Sequence, residues 1–297
     1  MHLSNYYYGH QNILSKYCGV ASTKKIFGMV AHGVDIGTSF DIRRVFRRLP
    51  FLVWNPLLAA LYIRQDWSKV VVIGSPLLYV EDVSPNRLSM GNSQRNQEWA
   101  GFAPHHIEPG AGRLQLRQFL SDLQKIDCPK GFPIYLHKNE FEDTFCLDLV
   151  NDFGFIPATV WKQGDSIFKE DFVMDLIAEL RKFDIVIASQ PTTAFWYAAY
   201  LGIDARVLNA TDGQQVERTR STLLNADYRG HIFWPSTVFD RQKIRESADE
   251  ELGKSFKLAP KDLSRVLGFD SVWKQLLARF VGVAGSLRRF VRYVMRF

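Results

Sequence analysis

DIVIASQPTTAFWYAAYLG, residues 184–202, is the stretch on which the fold turns. Its apolar run IVIAS reads as a strand buried on both faces, as in a parallel sheet. The run stops at Ser189-Gln190-Pro191-Thr192-Thr193, and an alanine- and aromatic-rich helix follows at once. The last elbow residues then cap that helix, so hydroxyls and backbone N–H groups converge on one point. At the carboxyl end of a parallel strand such a turn suits an anion, and the helix dipole adds roughly half a positive charge. The plain alternative is a Ser/Thr cap that only finishes a helix. Two hydroxyls in tandem after Pro191, in a chain with further elbows, favour phosphate.

Working outward, short β-rich runs alternate with helical stretches, the mark of an α/β protein. Strands are expected at Lys25–Ala31, Phe51–Trp54 and Val70–Ile73, each closed by a small or polar turn. Residues 81–99 are polar, lack a period and read as a linker or mobile loop between two lobes. Beyond them strands are expected at Gly101–Pro104, Pro133–Leu136, Ala158–Trp161, Ile185–Ala188 and Arg206–Leu208. Leu114–Leu123, Glu142–Asp152 and Lys169–Phe183 have helical spacing. This series predicts a Rossmann-like sheet in the second lobe. The expected division is residues 1–85, an acceptor-side lobe; 86–245, a donor lobe; and 246–297, a helical segment.

Composition narrows the class. With 297 residues, 46% hydrophobic and 23% charged, the chain has room for a sizeable core. Cys18, Cys128 and Cys146 are scattered without metal spacing, which points to a reducing compartment and away from a disulfide scaffold or zinc module. Met1–His10 is polar and tyrosine-rich, unlike a secretory signal, and Phe51–Ile63 is too short to span a bilayer. A soluble or peripheral protein is expected.

The net charge of +6 is concentrated at one end. Ser271–Phe297 holds Lys274, Arg279, Arg288, Arg289, Arg292 and Arg296 and no acid, which leaves the remainder neutral and argues against nucleic acid as partner. Trp273, Leu276, Leu277, Phe280, Ala284, Leu287, Val291 and Val294 share one helical face, with most of the cations opposite. Such a basic amphipathic helix can lie in an anionic membrane surface. The alternative is a helix packed across the two lobes that merely exposes its basic residues.

Histidines stand after three expected strands. His32 lies in MVAHGVDIG beside Gly33, with Asp35 three residues on; either side chain could serve as a general base toward a hydroxyl. His105 and His106 lie in GFAPHHIEPGAG, where adjacent side chains point opposite ways, so one of the pair faces a ligand. His137 lies in PIYLHKNEFED with Lys138 and Glu140 beside it. Together with the Ser189–Thr193 elbow, His137 and Lys138 could hold a leaving phosphate. In every case a structural turn is the competing explanation. GxSxG, GxGxxG and GxxxxGK[ST] are absent, which disfavours serine hydrolases, nicotinamide enzymes and P-loop NTPases.

YYYGHQNIL (6–14), VAHGVDIG (30–37), VIGSPLLYV (72–80), LHKNEF (136–141) and ASQPTTAFWYAAYLG (188–202) together resemble the GT-B fold glycosyltransferases of bacterial surface polysaccharide synthesis, of the sialyltransferase-like or Kdo-transferase-like kind. The resemblance implies two Rossmann-like lobes, to which the sequence adds the basic amphipathic C-terminal helix. It implies a nucleotide-sugar donor, a glycan or lipid-linked acceptor, and no metal or other cofactor. Carried over by motif, it places His137, Thr192 and Thr193 on the donor phosphate and His32 or Asp35 as base. His105, His106, Lys138, Glu140 and Ser189 complete the candidate donor-binding set. It further implies an enzyme held peripherally at the cytoplasmic membrane face by Ser271–Phe297. Polyol-phosphate or pyruvyl transferases would use the same strand ends. A non-catalytic sugar- or nucleotide-binding module would keep the fold and leave the base unused, and a membrane-surface scaffold would depend on the tail alone.

Overall fold

The computed structural model describes residues 5, 8–31, 49–64, 67–84, 98–104, 109–126, 128–162, 165, 169–189, 191–208 and 241–279. In chain order its first elements are α1 (His10–Tyr17), β1 (Met29–Val30), β2 (Phe51–Val53), α2 (Pro56–Arg64), β3 (Val70–Val72) and α3 (Leu77–Val83). Next come β4 (Trp99–Phe102), α4 (Pro109–Leu123), β5 (Pro133–Tyr135), α5 (Lys138–Phe141), α6 (Thr144–Asp152) and β6 (Ile156–Ala158). The remainder is α7 (Phe172–Leu180), β7 (Ile185–Ala188), α8 (Thr193–Tyr200), β8 (Asp204–Val207), α9 (Arg241–Glu251) and α10 (Pro260–Leu267). Residues 272–279 are also helical. The chain is α/β, with two parallel sheets.

It divides into two compact units. One comprises Met1–Pro85, Phe168–Val173 and Glu250–Phe297; the other comprises Asn86–Ile167 and Met174–Asp249. In the first unit β1, β2 and β3 lie in that order, all parallel, with Met29 opposite Phe51 and Phe51 opposite Val70. Every residue of β2 is buried, as a central parallel strand requires. Only two residues of the expected strand at Lys25–Ala31 pair. Ahead of them the backbone N–H of Ile26 goes to the Gln11 side chain and that of Phe27 to the Leu267 carbonyl, so this stretch is tied to helices instead of a sheet.

The carboxyl ends of β2 and β3 are filled by the chain itself. Asn55 donates from Nδ2 to the Glu251 carbonyl at 2.7 Å, while its Oδ1 accepts from Leu58 N–H at 2.8 Å. Ser75 N–H donates to the Leu252 carbonyl at 2.8 Å. Tyr79 donates its hydroxyl to the Ile73 carbonyl and accepts Leu258 N–H at 3.1 Å, and Tyr17 donates to the Leu258 carbonyl at 2.9 Å. Burial raises the Tyr79 phenol far above its ordinary pKa, so it stays a neutral donor and acceptor. Gly253 makes the close approach possible: it sits at φ +69, and a Cβ there would lie 1.8 Å from the Trp54 carbonyl oxygen. The turns after β2 and β3 therefore serve the fold.

In the second unit the strand order is β6-β5-β4-β7-β8, all parallel. Numbered within the unit this is 3-2-1-4-5, the doubly wound order that reverses between β4 and β7. Leu120, Leu123, Ile134, Val150 and Ile187 are fully buried at its centre. Each such side chain contributes roughly 1.5–3 kcal/mol relative to exposure.

Several expected boundaries move. Residues 81–83 belong to α3 and Trp99 opens β4, so the segment read as a linker begins and ends in regular structure. The strand expected at Ala158–Trp161 is Ile156–Ala158. Pro157 lies within β6, which among the described residues is an edge strand, where a missing N–H is tolerated. The strand expected from Arg206 begins at Asp204, a 3% exposed acid held by Arg206 at 2.7 Å and Arg241 at 2.8 Å.

Gly253→Ala is expected to destabilise the protein by at least the roughly 1–3 kcal/mol of a left-handed non-glycine residue, because the Trp54 carbonyl must also move. A urea unfolding midpoint equal to that of the unaltered chain would show that residues 251–258 are not clamped as described.

Candidate functional site

The register of the five-stranded sheet makes its carboxyl ends flush. Phe102 is opposite both Tyr135 and Ala188, Tyr135 is opposite Ala158, and Ala188 is opposite Val207. Each is the last residue of its strand, so the next residues, Ala103, Leu136, Thr159, Ser189 and Leu208, form one rim. Ligands bind doubly wound sheets outside these ends, at the point where the strand order reverses. Here that point is flanked by Ala103-Pro104 after β4 and by Ser189 after β7.

The β7 elbow follows from its sequence. Four buried apolar residues end at Ala188, and the chain must then leave the sheet. Thr192, extended at φ −84 and ψ 173, caps α8: its Oγ1 accepts Phe195 N–H at 3.3 Å. Ala194 to Ala199 are all buried, which fixes the helix against its own sheet and leaves its start at the rim. Thr193 and Ala194, at the first two helical positions, have no intrahelical acceptor for their N–H groups. Ser189 Oγ and Trp196 Nε1 are both buried and have no hydrogen-bond partner among the described residues. A buried polar group left without a partner costs about 1–3 kcal/mol, and a bound anion could satisfy the Ser189 hydroxyl.

His137 stands at the end of β5 as the N-cap of α5. Its Nδ1 accepts Asn139 N–H at 3.4 Å and lies 3.5 Å from Glu140 Oε2. With Nδ1 accepting from Asn139, the ring N–H stands on Nε2. Trp161, two residues beyond Thr159 on the neighbouring rim, packs edge-on to the imidazole with centroids 4.7 Å apart. The backbones of β5 and β7 are two inter-strand spacings apart, about 10 Å. Lys138 turns its ammonium to the Asp165 carbonyl, with Glu142 3.4 Å away. Its cation is thus engaged by Asp165 and Glu142.

The described residues therefore bring His137, Lys138 and Glu140 to the end of β5 and Ser189, Thr192 and Thr193 to the end of β7, in one unit. His32, Asp35, His105 and His106 lie outside the described residues. No group of three or more His, Cys, Asp or Glu side chains among the described residues could hold a metal ion. All three cysteines are free thiols, and burial pushes Cys18 and Cys146 up to about 11, so neither is a thiolate at neutral pH. The sequence reading missed Thr159, Trp161 and Trp196. Trp161 is the last residue of the strand expected at Ala158–Trp161, and Trp196 is one of several aromatics in an apolar helix, with nothing in its spacing to set it apart.

Comparison with known proteins gives no matching family model and no matching curated protein. The geometry of this rim therefore carries the functional argument.

A serine kept for the fold loses stability when its hydroxyl is removed; one kept for a ligand does not. Ser189→Ala should leave the unfolding free energy of the ligand-free protein unchanged or raise it by about 1 kcal/mol, because it removes an unsatisfied group. Thr192→Ala, by contrast, should cost about 1 kcal/mol as a lost cap. Chemical denaturation of the two variants tests the pair, and a clear loss for Ser189→Ala would make that hydroxyl structural.

Proposed function

We propose that the chain is a glycosyltransferase that moves a sugar from a nucleotide-sugar donor to a surface-polysaccharide or lipid-linked acceptor, with the donor phosphate held at the carboxyl end of β7. The observation that carries the reading is the buried Ser189 hydroxyl, without a partner among the described residues, in the elbow that leads to the Thr192-capped start of α8. It stands where a doubly wound sheet receives a nucleotide. The step from nucleotide binding to sugar transfer rests on the sequence resemblance.

In this reading the acceptor hydroxyl attacks the anomeric carbon as the bond from that carbon to the phosphate oxygen breaks. Negative charge grows on the leaving phosphate. Ser189 O–H and the N–H groups of Thr193 and Ala194 donate to it, and the His137 ring supplies a further donor. These dipoles are fixed before reaction, so they stabilise the charge without reorganising, each worth roughly 3 kcal/mol of barrier. The hydroxyl proton passes to His32 or Asp35, an assignment that rests on the resemblance alone. No metal or other cofactor takes part in the proposed reaction, and the enzyme works at the cytoplasmic face of the membrane.

A thermal-shift screen of CMP, UDP, GDP, CDP, ADP and their sugars tests this directly. A nucleotide at 100 times its dissociation constant adds about 2.7 kcal/mol of apparent stability. One nucleotide should raise Tm without magnesium, and Ser189→Ala and His137→Ala should each reduce that shift. The matching nucleotide sugar should also release free nucleotide on incubation with the unaltered chain and an acceptor extract. No shift with any nucleotide would overturn the reading. A shift without nucleotide release would leave a binding module.

A further inference from the structure

The helix at 272–279 lies on the first unit with its amphipathic pattern inverted. Its inward side is polar: Gln275 accepts Lys25 N–H at 2.9 Å and donates to the Lys25 carbonyl at 2.8 Å and the Gly268 carbonyl at 2.9 Å. Ala278, on the same side, is 3% exposed. Lys24 fastens the preceding turn by donating to the Phe269 carbonyl at 2.6 Å. The outward side is apolar: Val272 is 74% exposed, Trp273 76%, Leu276 51% and Leu277 49%. A surface helix ordinarily buries such a stripe against its own core. Here three hydrogen bonds at one glutamine hold the helix the other way round, and Trp273, Leu276 and Leu277, the described part of the stripe expected from the sequence, are exposed.

At 100° per residue, Arg279 flanks this stripe on one edge and Lys274 on the other. Arg279 is exposed; Lys274 reaches the Arg265 carbonyl at 3.4 Å. The sequence from Ser271 to Phe297 adds Arg288, Arg289, Arg292 and Arg296 and contains no acid. A second copy of the same segment would set these cations against their like. An anionic lipid surface meets both properties, since tryptophan and leucine enter the headgroup boundary while flanking cations stay among the phosphates. No helix among the described residues is long and apolar enough to cross a membrane.

We infer that the face formed by Val272, Trp273, Leu276 and Leu277 docks onto an anionic membrane surface, with the Gln275 clip holding that face outward. The membrane is recognised by the apolar stripe and its cationic margins, independently of the rim at β5 and β7.

The test is sedimentation of the full chain with vesicles of phosphatidylglycerol and phosphatidylcholine, against vesicles of phosphatidylcholine alone. Each Lys or Arg near an anionic surface raises partitioning roughly fivefold, so binding should require the anionic lipid and weaken in high salt. The paired change Trp273→Glu and Leu276→Glu should lower partitioning at least roughly tenfold while leaving Tm and any nucleotide-induced Tm shift unchanged. The milder pair Trp273→Ser and Leu276→Ser removes the same contacts and should act in the same direction. Equal binding of either pair and the unaltered chain, or equal binding to both vesicle types, would overturn the inference. So would an absence of vesicle binding accompanied by self-association that the variants abolish, which would make the stripe a contact between copies of the chain.

Discussion

Two parallel strands cannot be joined by a tight turn; each connection must cross back along the sheet. That constraint arranges residues 98–208. It sends every strand of the second unit in one direction and places the helical connections off the sheet. The register then brings Phe102, Tyr135, Ala158, Ala188 and Val207 to the same level. After β5 and β7 the described chain leaves the sheet at this level, which brings His137, Thr192 and the starts of α5 and α8 to the same edge. A site at that edge is a consequence of topology before it is a matter of any particular side chain.

The two units use the same kind of strand end differently. In the first, the turns after β2 and β3 are satisfied from within: Asn55, Ser75 and Tyr79 bond to residues 251–258, and Gly253 lets the backbones meet. In the second, the turn after β7 retains a buried hydroxyl with no partner among the described residues. A turn completed by its own chain has no use for a ligand. A turn that leaves a buried donor unmet carries an energetic penalty that a phosphate oxygen would remove. This difference separates a structural elbow from a candidate binding elbow more sharply than their compositions do, since both are short, polar and proline-containing.

Much of the architecture was legible because buried parallel strands are continuous apolar runs. Ile185–Ala188 has the boundaries its sequence implies, and seven other strands fall on or beside the expected runs. What escaped the sequence depended on distant partners. Trp99 and Ala100 look like the end of a polar stretch until they pair with Ile185 and Val186. Asp204 looks unfit for a buried strand until Arg206 and Arg241 neutralise it. The glycine-rich start of α4, Pro109-Gly110-Ala111-Gly112, hides a helix whose first position suits proline. For the candidate site, His137 and the Ser189–Thr193 elbow were legible from their positions after strands. The engagement of Lys138 with Asp165, and the outward turn of Trp273 and Leu276, were set by contacts that no local pattern encodes.

In the proposed function the rim at the ends of β5 and β7 receives a nucleotide phosphate, through groups that have no partner among the described residues. Hydrogen exchange read by mass spectrometry tests this at the groups themselves, with the protein free and saturated in turn with each nucleoside diphosphate. The amides of Thr193 and Ala194, lacking intrahelical acceptors, should exchange quickly in the free protein. One nucleotide should slow the peptides covering residues 189–195 and 136–140. Unchanged exchange in both peptides with every nucleotide, or protection confined to other parts of the chain, would contradict the account.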